Sequence, residues 1–275
     1  MSKIEGVPAP FVVRSSASVN ELWRSPIATL PLWPIVLLVV SVLFVLGPFD
    51  SLFLSVAWLR GIDLLLIYSL ALVWWGLSIR RRGHSVSGVM GARPSLKQWR
   101  LTLVATLAAQ CLCVGWLSSL AALDLVPAYW SARSGSSSMQ TAFAPIETLA
   151  VVVLGPCAEE ILFRGIIFRR SLRWMSPLPA ALWSSLVFGL CHYDMIGAAS
   201  FGLVLVGLYV QSGSLWTPIA AHCFFNATAH GVGALVAARG SLGWAIAGAQ
   251  LVCVPWLVWF SWRSLRQLEG VRDGP

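Results

Sequence analysis

Three sets of polar side chains stand inside apolar stretches of this 275-residue chain, and their types suit acid–base chemistry. The first is Glu159 and Glu160 with Arg164, in the run Gly155-Pro156-Cys157-Ala158-Glu159-Glu160-Ile161-Leu162-Phe163-Arg164. The second is His192, four residues after Phe188. The third is His222 with Asn226, also four apart. A charged side chain at the centre of a bilayer costs about 2.5–3.5 kcal/mol on insertion scales, so an ionisable residue there is a functional candidate by default. Carboxylates and imidazoles can act as general acids and bases, and imidazole and amide N–H groups as hydrogen-bond donors. On a helix Glu160 and Arg164 share a face, while Glu159 lies about 100° around from Glu160. The expected division is that Arg164 neutralises Glu160 and leaves Glu159 facing a cavity.

Such residues need a membrane-embedded helical frame, and the composition supports one. The chain is 57% hydrophobic and 11% charged, with a mean hydropathy of +0.78. These values exclude a soluble domain and a disordered chain. The apolar runs are continuous rather than alternating over roughly ten residues, which argues against a β-barrel. The expected fold class is all-α, a polytopic transmembrane helix bundle of about eight spans. Spans are read near 27–48, 59–79 and 101–123, a fourth from 143, and a fifth over 177–193. Residues 195–238 are too long for one span, and Gln211-Ser212-Gly213-Ser214 divides them into a sixth and a seventh. The eighth covers 241–261. Each is near the ~20 residues that cross the hydrocarbon, although the sixth is short.

The net charge of +8 is distributed beside the spans, not in a nucleic-acid patch. Arg80, Arg81, Arg82, Arg93, Lys97 and Arg100 fall in one loop. Arg164, Arg169, Arg170 and Arg173 follow the glutamates, and Arg263, Arg266 and Arg272 lie in the tail. With eight spans these groups share one side, so both termini are expected to be cytoplasmic. No cleavable signal pattern is visible, and the first apolar run reads as an anchor. The expected division is a cytoplasmic amino-terminal segment over 1–26 and accessory helices over 27–142. A catalytic core over 143–237 follows, then a last helix with a basic tail over 238–275. The arginine-rich composition fits a bacterial source, and the localisation expected is the bacterial inner membrane with the site opening toward the cytoplasm.

The fourth and fifth spans form a hairpin turning near Met175-Ser176-Pro177. Glu159 lies sixteen residues before Met175 and His192 sixteen after Ser176, so the two sit at similar depth. Thr217 reads as an N-cap and Pro218 as the first helical residue of the seventh span. His222 and Asn226 then share a face, which His230 continues. Trp74 and Trp75, just before the arginine cluster, suit an interfacial belt. The six cysteines lie in apolar segments and read as buried thiols rather than a disulfide framework.

Glu-Glu-x-x-x-Arg, Phe-x-x-x-His and His-x-x-x-Asn, in that order on successive membrane helices, resemble the CPBP intramembrane protease family. That family includes the type II CAAX prenyl endopeptidases and the bacterial Abi and bacteriocin-immunity proteins. The resemblance covers residues 145–237 and includes Ser212-Gly213-Ser214-Leu215-Trp216. It implies an intramembrane endopeptidase acting on a membrane-attached protein or peptide among membrane lipids. In that reading Glu159 and His192 polarise water, His222 and Asn226 donate to the oxyanion, and Glu160, Arg164 and Phe188 support them. The expected mechanism uses no cofactor. The alternative is a zinc enzyme with Glu159, His192 and His222 as ligands and His230 in reserve. Rival functions are a non-catalytic scaffold or immunity protein of the same fold, and a transporter using buried charges as a proton relay. Cys157, Cys191 and Cys223 each adjoin a motif and read as packing residues, with a nucleophilic role as the alternative.

Overall fold

The computed structural model describes residues 26–34, 36–37, 61–122, 145–192, 194–238 and 240–272. Most of the first expected span and the 124–142 connection lie outside the described residues. Among the described residues every regular element is helical. After a 3₁₀ turn at Pro26–Thr29 come α1 (Ile62–Arg81), the short α2 (Val86–Met90) and α3 (Leu96–Ala122). A continuous helix, α4, runs over 145–171, followed by α5 (Pro177–Leu190), α6 (Met195–Ser212), α7 (Trp216–Ala238) and α8 (Gly240–Arg272). Three helical segments among them are long and apolar enough to cross a bilayer: Ile62–Arg81, Leu96–Trp116 and Met195–Ser212. Pro177–Leu190 is apolar but shorter.

Several boundaries differ from the expected ones, each for a local reason. α3 begins five residues earlier than its apolar run because Ser95 and Gln98 form a reciprocal capping box. Ser95 N donates to Gln98 Oε1 at 2.7 Å and Gln98 N to Ser95 Oγ at 3.4 Å. α5 ends at Leu190, leaving Cys191 and His192 in a turn. Asp194 enforces the break by capping α6, its Oδ1 accepting from Gly197 N at 2.9 Å. The split inside 195–238 falls where expected, at Gly213, whose φ of 65° suits a residue without Cβ. Thr217, however, is not the cap of α7. The helix starts at Trp216, whose N–H donates to Ser214 Oγ at 3.3 Å. The Thr217 hydroxyl turns back to meet Ser212 Oγ at 2.6 Å.

Two buried clusters hold the bundle together. One joins α1, α4, α5, α6 and α7 with the end of α8 through residues such as Ile79, Ile166, Ala181, Tyr209 and Leu265. Trp75 belongs to it and is buried, so it is a core residue rather than an interfacial anchor. The other joins α3, α6, α7 and α8 through Ala105, Ala109, Leu205, Ala221 and Phe260. α6 contributes to both, and so does α7. The site lies where these two helices meet α4 and α5. The end of α2 is tied to the α6–α7 turn, since Leu215 N donates to Met90 O at 2.9 Å. At the same end Arg170 Nε donates to Ala28 O at 3.0 Å, fixing the 3₁₀ turn to α4.

Candidate active site

α4 carries the glutamates on an α-helical stretch, Gly155–Glu160, between two π-helical stretches, Ala150–Leu154 and Ile161–Phe168. π-helical segments are rare and recur at functional sites, because the wider turn re-aims side chains. Neighbouring helices hold both stretches by their carbonyls. Asn226 Nδ2 on α7 donates to Val151 O at 2.9 Å, and Ser184 Oγ on α5 donates to Phe163 O at 3.0 Å.

Glu160 and Arg164 form the closed side. Their side chains are both 0% exposed, and Arg164 NH1 lies 2.9 Å from Glu160 Oε1. Arg164 NH2 donates to Gly202 O on α6 at 3.0 Å, and its guanidinium lies over the Phe188 ring at 4.5 Å. The expected pairing is therefore present. The same Glu160 oxygen has a second partner that the motif spacing did not indicate: His222 Nδ1 at 2.8 Å. The His222 ring is boxed edge-on by Phe188 and Phe201, each at 5.6 Å between ring centres. Phe188 thus touches Arg164, His222 and, at 4.3 Å, His192. A phenylalanine four residues before a histidine marks this role in the sequence, whereas nothing local marks Phe201.

Glu159 and His192 form the more open side, at 19% and 34% side-chain exposure. His192 Nε2 lies 3.7 Å from Glu159 Oε2, so the hairpin does bring the two to one depth. His222 Nε2 approaches the same oxygen to 3.9 Å. Glu159 Oε1 accepts a hydrogen bond from Tyr68 Oη at 3.0 Å, whereas buried Oε2 has no hydrogen-bond partner among the described residues. Tyr68 sits on α1, 91 positions away in sequence, and no motif announces it.

The imidazole protons follow from their partners. His192 Nδ1 lies 2.7 Å from Phe188 O, a carbonyl that can only accept, so Nδ1 is the donor. His222 Nδ1 likewise donates to Glu160 Oε1, which also accepts from Arg164. In their neutral forms both rings turn an unprotonated Nε2 toward Glu159 Oε2. Three acceptors then converge on one gap, which calls for a donor such as water, an added proton on a ring, or a cation.

The donor set suits zinc in type, since each ligand atom has its partner atom held by an outer group. The spacing is wider than the ~3.3 Å between ligands of a tetrahedral site with 2.0–2.1 Å bonds. Among the described residues no group of three is set closely enough to hold an ion as it stands. Asn226 uses one amide N–H on Val151, and its amide carries a second. His230 lies in α7, and its side chain is outside the described set. Cys157, Cys191 and Cys223 are free thiols.

Residues 141–228 match the sequence model of a family described as type II CAAX prenyl endopeptidase Rce1-like. Over 85 residues the chain is 33% identical to "Putative membrane peptidase YdiL" of Bacillus subtilis (strain 168), covering 30% of this chain and 35% of that protein. The chain thus spans about a third of the length of this curated relative. No solved structure matches. The resemblance carried by the three motifs holds over the segment that contains all of them.

Proposed function

We propose that the chain is an intramembrane endopeptidase that hydrolyses a peptide bond in a membrane-attached protein by water activated at Glu159. The observation that carries this reading is the unpartnered Glu159 Oε2 with His192 Nε2 and His222 Nε2 at 3.7 and 3.9 Å. A water in that gap donates to Glu159 and to His192. Glu159 takes the proton as water attacks the carbonyl carbon, and the proton then passes to the leaving amine. His222, held by Glu160, donates from Nε2 to the oxyanion, joined by the second amide N–H of Asn226. Glu160, Arg164 and Phe188 do not touch the reacting atoms in this scheme. They keep the His222 ring at its angle. Should zinc bind, Glu159, His192 and His222 would hold it, and it would supply Lewis-acid polarisation of water.

The substrate class is a protein tail in or at the membrane, either a CAAX-type end or a carboxyl-terminal sorting tail. The proposed topology has about eight spans, both termini in the cytoplasm and the site opening to that side of a bacterial inner membrane. The parity of the helices supports it. α1 ends at Arg80 and Arg81, α3 begins beside Lys97 and Arg100, and α4 ends at Arg169 and Arg170.

Cleavage of tail-anchored and prenylated reporters by wild type, Glu159→Gln and His222→Ala tests the activity. Cleavage by wild type alone is expected. Identical processing by all three would leave a non-catalytic scaffold of the same fold. Metal analysis of the purified protein, with activity assayed after exhaustive chelation, tests the metal-free mechanism. Persistent activity without bound metal is expected, and stoichiometric zinc whose removal stops cleavage would replace it with the zinc mechanism.

A further inference from the structure

We propose that Tyr68 is a positioning residue of this site, holding Glu159 so that Oε2, and not Oε1, takes the proton from water. The inference rests on the endopeptidase reading and adds to it a residue from α1, outside the matched segment 141–228. The phenol donates to Oε1 at 3.0 Å. That oxygen is thereby occupied, and the carboxylate is held against rotation about its last bond. Oε2 is left turned toward the two Nε2 atoms. A carboxylate without this anchor could exchange its oxygens and spend part of its time with neither aimed at the gap.

The phenol is held in place by the way α1 docks on α4. Gly61 at the start of α1 has φ +81°, and a Cβ there would come within 2.7 Å of Glu147 Cα. Further along both helices, a Cβ on Gly155 would lie 3.0 Å from Tyr68 Cε2 and 3.2 Å from Cζ. The two helices therefore run parallel and meet closely at two glycines, roughly 10–12 Å apart along their axes at 1.5 Å per residue. Gly155 is one turn before Glu159, on the same face. The glycine that seats the ring and the carboxylate that receives its hydroxyl belong to one stripe of α4. Seating and hydrogen bond thus fix both the height and the direction of the phenol.

Tyr68→Phe keeps the ring on Gly155 and removes only the hydroxyl. With a reporter carrying a single carboxyl-terminal transmembrane anchor, full-length Tyr68→Phe should lose about ten- to a hundredfold in kcat with KM unchanged. The Glu159 carboxylate stretch, isolated as the infrared difference from Glu159→Gln, should move when Tyr68→Phe is introduced in both proteins. An unchanged kcat, or an unmoved stretch, overturns the proposal. Site-specific 3-fluorotyrosine at position 68 keeps ring and hydroxyl while strengthening the donor. It must shift the same stretch even if the phenylalanine variant does not fold. If Glu159→Gln cleaves like wild type, the endopeptidase reading fails, while the infrared signal still reports the Tyr68–Glu159 contact by itself.

Discussion

The two sides of one helical turn of α4 hold adjacent glutamates in opposite conditions. On the closed side, Glu160 is fully buried and its Oε1 meets Arg164 and His222 within 2.9 Å. On the open side, Glu159 keeps some exposure, makes one ordinary hydrogen bond to Tyr68, and leaves Oε2 without a partner. Both carboxylates leave Oε2 without a hydrogen-bond partner among the described residues. Glu160 is sealed from solvent, whereas Glu159 Oε2 faces two imidazole Nε2 atoms and is the better placed to accept a proton from water. The contrast teaches that the Glu-Glu pair is not a dyad sharing one task. One member is buried and holds His222, and the other is the proposed base. The bridge between them is His222 itself, whose Nδ1 belongs to the closed side and whose Nε2 faces the open one.

The contrast can be broken most severely at Glu159. Glu159→Gln should cut reporter cleavage by about 10²–10⁴-fold, the usual range for a positioned acid–base group. Its unfolding midpoint in detergent should stay close to wild type, because no buried charge loses its partner. A large loss of stability here would erase the distinction between the two glutamates. Arg164→Met should do the reverse. Removing one member of a buried pair costs about 3–5 kcal/mol, because the other is left charged and unmatched. Denaturant or thermal unfolding of the purified protein measures it. The double variant Glu160→Gln with Arg164→Met should recover part of the loss.

Gly202→Ala probes the closed side more gently. The new Cβ would lie 3.0 Å from Ser185 Cβ and 3.2 Å from Arg164 NH2. Overpacking of this kind costs about 1–3 kcal/mol, again read from the unfolding midpoint. Cys157→Ala should show the smallest effect, with cleavage and stability both near wild type. A loss of activity there would reopen the nucleophile alternative and move the chemistry away from Glu159.

The polar motifs and the helical class were legible in the chain because they rest on local geometry. Glu160 and Arg164 are four apart on one helix, and that contact follows from helical pitch wherever the helix is placed. The depth match of Glu159 and His192 was legible too, since the short connection over 172–176 makes residue counting a fair measure of height. Legibility failed where polar side chains compete with apolar periodicity. α7 starts at Trp216, its N–H held by Ser214 Oγ, rather than after a Thr217 cap, and the Ser95/Gln98 capping box extends α3. Trp75 illustrates the same limit, because an aromatic residue beside arginines suits a membrane interface and a buried core equally well.

What the sequence by itself determined is therefore a helical, membrane-suited chain, the order of its three motifs and the ion pair within one of them. Only the tertiary structure decided that His222 bonds Glu160, that Asn226 spends a proton on Val151, and that Tyr68 reaches Glu159. These contacts join residues 62, 75 and 91 positions apart. Helical periodicity states which residues share a face, but not which faces meet or at what rotation. Here the π-helical stretches on either side of the glutamates change that rotation, and glycines at positions 61 and 155 set how closely α1 can approach.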